Sequence, residues 1–130
     1  MGLDMYFTRQ PKTPGAYTPV ISRRYSHNVG YFRKHNALHQ WMVEHAQAGI
    51  DECQSTELTP ECLTKCFDIV KVALVLRDAN YMPPSSGCYF GSTAVDESYW
   101  NKMIETYYTL QTIIETTDWQ SESVWYQSSW

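Results

Sequence analysis

Two stretches of this 130-residue chain hold side chains that could do chemistry together. The first runs Tyr31-Phe32-Arg33-Lys34-His35-Asn36-Ala37-Leu38-His39-Gln40-Trp41. As a helix it sets Phe32, Asn36, His39 and Val43 along one flank, beside an apolar stripe. Asn36 and His39 then reach a pocket rim as hydrogen-bond donors and acceptors, with Arg33 adding charge from further round. The same groups serve equally well as partners for neighbouring loops, the commoner fate of His and Asn at a core margin. The second stretch is Pro83-Pro84-Ser85-Ser86-Gly87-Cys88-Tyr89-Phe90-Gly91-Ser92-Thr93. Its glycines, hydroxyls and following helix start can together hold an anion through backbone N–H groups. It is no P-loop, because the spacing differs and no Lys follows Gly91. Asp96 and Glu97 would also repel a phosphate set at that helix end, so an ordered loop before a capped helix is the plainer reading.

Metal and nucleophile chemistry find less support. His35 and His39 are four apart, as are Cys62 and Cys66, and together they would make a Cys₂His₂ set. Cys66, however, belongs to an apolar stripe, where a free cysteine acts as a small hydrophobe. Neither pair has a recognised zinc spacing, and no metal or cofactor is expected. Cys88, His39 and Asp96 supply the types of a nucleophile, base and orienter, but any chain with four Cys and four His offers such a trio. HExxH and GxSxG are missing, so no catalytic residue is assigned. The run Trp119 to Trp130 carries too much aromatic area for a floppy tail. It is expected to dock, closing a sheet or forming part of a partner face through Trp125.

Composition narrows the partners. The net charge is −4, with Lys and Arg numbering 10 against 14 Asp and Glu. Arg23, Arg24, Arg33 and Lys34 form only a small basic cluster, whereas a duplex reader needs a broader positive surface, so duplex nucleic acid is disfavoured. Aromatic residues make up 15% of the chain, mostly Tyr and Trp, which suit half-buried positions and recognition surfaces alike. The four cysteines form no CxxC pair, and no secretory h-region follows Met1, so a cytoplasmic chain with reduced thiols is expected. Tyr6 stands where a myristoylation signal needs Ser or Thr. The longest apolar run, Val72–Leu76, is far too short to cross a bilayer, and no membrane association is expected.

The elements that must position these residues read as one α+β domain over 1–130. Three main helices are expected to pack on a small antiparallel sheet formed by N- and C-terminal strands. Leu3–Arg9 alternates as a strand, with Leu3, Met5 and Phe7 on one face. Pro11, Pro14, Gly15 and Pro19 mark an extended loop, and Val20–Ser26 reads as a short edge strand. From Val29 to Gln47 the spacing of Tyr31, His35, Leu38, Met42 and Ala46 predicts a helix ending near Gly49. A strand is expected near Cys53–Glu57. A second helix opens with Thr59 as N-cap, Pro60 at its first position and Glu61 on the dipole, and runs to about Asp78. Tyr81–Val95 is a long loop. A third helix, capped by Asp96, buries Trp100, Met103, Tyr107, Leu110 and Ile114. Val124, Tyr126 and Ser128 alternate in a last strand, expected to pair with the first.

Several of these segments resemble a family of small bacteriophage and prophage proteins with no assigned activity. The likeness lies in Met1-Gly2-Leu3-Asp4-Met5-Tyr6 and in Arg33-Lys34, Asn36, His39 and Trp41. It continues in Pro84 to Gly87, Phe90-Gly91-Ser92-Thr93, Asp96-Glu97 and Tyr99-Trp100, and ends in Tyr126-Gln127-Ser128-Ser129-Trp130. The resemblance implies a non-catalytic accessory protein, of counter-defence type, that binds a host protein or a small nucleotide-like ligand in the host cytoplasm. For the ligand version the expected contacts are Arg33, Asn36, His39, Tyr89, Phe90, Ser92, Thr93 and Trp125. The rival classes are a small enzyme using His39 as acid or base and a self-associating homo-oligomeric module.

Overall fold

Leu3, Met5 and Phe7, alternating with polar neighbours, build the first strand of a four-stranded antiparallel sheet. The computed structural model describes residues 2–12, 27–87 and 90–130. Strand β1 (Asp4–Pro11) is followed by β2 (His27–Arg33), α1 (Asn36–His45) and β3 (Thr56–Leu58). Then come α2 (Pro60–Leu76), a 3₁₀ turn at Ala79–Tyr81, α3 (Glu97–Thr116) and β4 (Glu122–Ser129). The strand order is β2-β1-β4-β3, so the first and last strands pair at the centre as expected. The chain is α+β, with three α-helices on this sheet. The strand expected over Val20–Ser26, with Pro14, Gly15 and Pro19, lies outside the described residues.

One element departs from expectation. The helix predicted over Val29–Gln47 is a strand followed by a shorter helix, because residues 27–33 pair with β1. A register shift at Phe7/Thr8 breaks the period of two opposite Val29, and this hides the strand in the sequence. Lys34 then takes φ 56°, a left-handed turn that no helix tolerates, and α1 starts two residues later. Phe32 therefore reaches the core from a strand, while Tyr31 is exposed on the opposite side. The short strand expected over Cys53–Glu57 forms at Thr56–Leu58.

The helix starts follow their caps. Thr59 Oγ1 accepts the Cys62 N–H at 3.0 Å, and Asp96 accepts the Tyr99 N–H at 3.1 Å. On α3 the buried face is rotated slightly from the expected one. Tyr99, Thr106 and Ile113 are buried beside Trp100, Met103 and Leu110, and Tyr107 and Ile114 are half-buried.

Met5, Phe7, Phe32, Val124 and Tyr126 form the inner sheet face and share one core with Leu38 and Met42, Leu63 and Val70, and Met103 and Leu110. The alternate residues Tyr6, Thr8, Gln10, Trp125 and Gln127 occupy the outer face. Close packing of sheet and α3 has a specific requirement at Gly30. A Cβ there would stand 2.8 Å from Thr109 Cγ2 and 3.4 Å from Phe7 Cβ. We predict that Gly30→Ala destabilises the fold by about 1–3 kcal/mol through overpacking. Adding Thr109→Ser, which removes that methyl, should restore part of the loss in urea melts; a strictly additive double variant would count against this contact.

Candidate functional site

The structure brings four of the expected site residues together and separates the rest. Asn36 is buried, and its amide nitrogen donates to the carbonyls of Phe90 and Ser92 at 3.0 and 2.9 Å. Its Oδ1 accepts the Ser85 N–H at 3.0 Å, so one side chain pins both ends of the Pro83–Thr93 loop. The Phe90 ring packs edge-on against His39, centroids 5.2 Å apart. Ser92 Oγ accepts the Ala94 N–H within a local turn, and Thr93 is exposed. Arg33 lies opposite Asp4 across the β1–β2 pair. Trp125 precedes Tyr126 in β4 and faces away from His39. Tyr89 lies outside the described residues, as does Cys88 of the suggested nucleophilic trio. Asn36 and Ser92 do line a cleft with Lys34 and Lys102, but its volume of about 60 Å³ is small. Small-molecule sites usually run to several hundred Å³.

His39 sits at the centre of a buried polar chain with no exposed surface of its own. Burial holds the Tyr126 phenol well above its ordinary pKa, so it keeps its proton and donates to His39 Nδ1 at 2.6 Å. His39 Nε2–H donates in turn to Asp51 Oδ1 at 2.9 Å, and the Trp130 indole N–H donates to the same oxygen at 3.1 Å. A neutral imidazole with its proton on Nε2, facing the Asp51 carboxylate, leaves Nδ1 to accept from the phenol. Desolvation lowers the His39 pKa and outweighs the opposing pull of Asp51. The chain thus ties α1, the segment after it and the last residue to the central strand. Phe90 lies between His39 and Trp130 with edge-on contacts to both rings, and the imidazole is closed off from solvent.

His35 turns elsewhere. The Thr106 hydroxyl donates to the Lys102 carbonyl at 2.7 Å, so its oxygen accepts from His35 Nε2 at 2.8 Å. The two histidines therefore do not converge. Among the described residues no group of three or more His, Cys, Asp and Glu is placed to hold a metal ion.

A different surface holds the largest departure from ordinary burial. On the outer side of the α2–α3 pair, Val75 is 75%, Tyr108 61% and Leu76 59% exposed, with Ile104 and Val72 also exposed. Phe67 stacks on Tyr107 beneath them, centroids 5.0 Å apart, and joins the two helices. A groove of about 310 Å³ runs between the helices, lined by Lys71, Leu74, Val75, Ile104, Tyr107 and Tyr108. Scattered apolar side chains on a surface are ordinary, whereas a contiguous strip marks a contact face. The expected site contained none of these residues. Their signal is nonetheless present in the sequence: Val72–Leu76 is apolar all round the helix, more than one buried stripe can use. No described helix is long and apolar enough to cross a membrane.

Comparison with family models, with curated proteins and with solved structures found no match.

The buried histidines make the fold acid-sensitive. Burial lowers the His35 pKa from 6.5 to about 3, and lowers that of His39 as well. Above pH 6.5 both are neutral folded and unfolded, and neither contributes a slope. Below it the unfolded chain binds protons that the folded chain refuses, so stability falls as pH drops from 6.5 towards 3. Denaturant melts at pH 7.5, 6, 5 and 4 should show a progressive loss, shallower in a His39→Gln variant. A flat profile over that range would contradict neutral burial.

Proposed function

We propose that this chain is a non-catalytic binding protein whose docking face is the outer groove of the α2–α3 pair. The single observation that carries this reading is the exposed strip of Val72, Val75, Leu76, Ile104 and Tyr108. Water against that much apolar area is costly, and burying the exposed part of each such side chain on docking contributes a fraction of the roughly 1.5–3 kcal/mol of full burial, before the costs of association. Two packed helices with a groove between them fit a third helix laid along it, its apolar residues at i, i+3, i+4 and i+7. Among the described residues Lys71 is the charged side chain lining the groove, so the partner helix should carry a carboxylate on its flank. The resemblance to small phage proteins makes a host protein the partner to seek first.

Self-association is the second reading, favoured by the same strip meeting its own copy across a two-fold axis. Light scattering over a dilution series separates the two. The partner reading expects a monomer that captures a host protein, and the self-association reading expects a dimer that dissociates on dilution. In either case Val75→Glu should weaken binding at least tenfold while leaving the melting temperature close to wild type, since Val75 contributes little to the core. A monomer that captures nothing, or a captured protein indifferent to Val75→Glu and Ile104→Glu, would sink the proposal.

A further inference from the structure

The outer face of the sheet carries a second and independent site, centred on Trp125. This indole donates its N–H to Ser123 Oγ at 2.9 Å, which fixes the ring's orientation while its residue remains half-buried. Around it opens a cleft of about 560 Å³, lined by Gln10, Lys12, Ser55, Glu57 and Ser123 together with Pro11. That volume falls within the range of small-ligand sites, although its lining is mostly polar, with Trp125 and Pro11 as the apolar part. Glu57 is the direct cross-strand neighbour of Trp125, so their Cβ atoms start roughly 5 Å apart. An exposed carboxylate thus stands beside an aromatic face. At the other side the exposed Lys12 donates to the Trp119 carbonyl at 2.7 Å, which holds its ammonium group at the cleft.

We infer that this cleft binds a guanine mononucleotide. The assignment follows from three complementary features. A flat ring can lie on Trp125, a contact open to any base. A carboxylate offers two acceptors and no donor, which suits an edge presenting two adjacent N–H groups. Among the common bases guanine has that edge, in N1–H and the 2-amino group, whereas adenine presents an acceptor at N1. Lys12 supplies a cation for the phosphate, while Gln10 and Ser55 remain for the sugar hydroxyls. The pairing of one anion with one cation in the cleft fits this ligand better than a polyanionic strand, which the Glu57 carboxylate would oppose.

Isothermal titration of the whole chain with GMP, IMP, AMP and CMP tests this directly. GMP should saturate one site. IMP, which lacks the 2-amino group, should bind about tenfold more weakly for the loss of one charge-assisted hydrogen bond. Trp125→Ala should weaken every nucleotide, and Glu57→Gln should erase the preference for GMP over AMP while leaving stacking intact. Circular dichroism and melting would establish that Trp125→Ala remains folded; if it does not, the exposed Glu57 decides the matter. No saturable GMP binding up to millimolar concentration would overturn the inference, as would equal affinity for GMP and AMP or a GMP preference that survives Glu57→Gln. None of these outcomes bears on the α2–α3 groove, so the two proposals stand or fall separately.

Discussion

The structure depends first on closing its two ends against each other. β1 and β4 are paired along their whole length, from Asp4↔Ser129 to Pro11↔Glu122, although more than a hundred residues separate them in sequence. Loop closure over that distance costs entropy before any contact rewards it, so the pairing must be reinforced by what packs on it. Tyr126 supplies much of that reinforcement. It is fully buried, lies 5.2 Å from the Phe7 ring centroid, and hydrogen-bonds His39 on α1. The same residue therefore links the sheet centre, the first helix and, through Asp51, the terminal Trp130. An unpaired His39 here would cost its full desolvation, which makes the polar chain a condition for one particular arrangement of these elements.

This closure divides the molecule into an inner side, filled by helices, and two outward surfaces with different chemistry. Period two sends Tyr126 inward and Trp125 outward from adjacent positions of one strand. The helices solve their burial unequally. α1 hides Ala37, Leu38, Trp41, Met42 and Val43, whereas α2 buries Leu63, Cys66, Val70 and Ala73 and still carries Val72, Val75 and Leu76 outward. The excess lies at the C-terminal half of α2, where Arg77 in a left-handed conformation ends the helix and its guanidinium stands 5.0 Å from the Trp100 ring. Folding does not require those apolar residues at the surface. That is the reason to read them as serving something other than the fold.

How much of this was legible in the sequence depended on whether the signal was local. Thr59-Pro60-Glu61 and Asp96 act through groups two or three residues away, and both helices start where those residues predict. Leu3, Met5 and Phe7 form an unbroken alternation, and so do Val124, Tyr126 and Ser128, so both central strands were readable. β2 was not, because the bulge opposite Phe7/Thr8 removes its period while Tyr31, His35 and Leu38 imitate a helical one. Asn36 and His39 are marked in the sequence by their type and by their place on one helical flank. Their partners, the Phe90 and Ser92 carbonyls and the Tyr126 hydroxyl, lie 54, 56 and 87 residues away, and no periodicity reports such distances. Trp125 falls on the expected strand, yet its neighbours Glu57, on β3, and Lys12, just past the end of β1, become visible only once the register is known.

The separation of the two outward surfaces has a physical consequence of its own. One lies on the outer side of the helix layer and the other on the outer side of the sheet, with the whole core between them. Coupling across such a distance needs an element with two arrangements that both ligands bias, and packed cores resist intermediate states. The hydrogen-bonded chain from Trp125's neighbour Tyr126 through His39 to Asp51 leads to Trp130 and Phe90 instead of to Val75 or Tyr108. These bonds connect the central strand to the C-terminal residue and do not include the residues of the α2–α3 groove. Occupancy of one surface should leave the affinity of the other nearly unchanged, because no shared side chain carries a difference from one to the other.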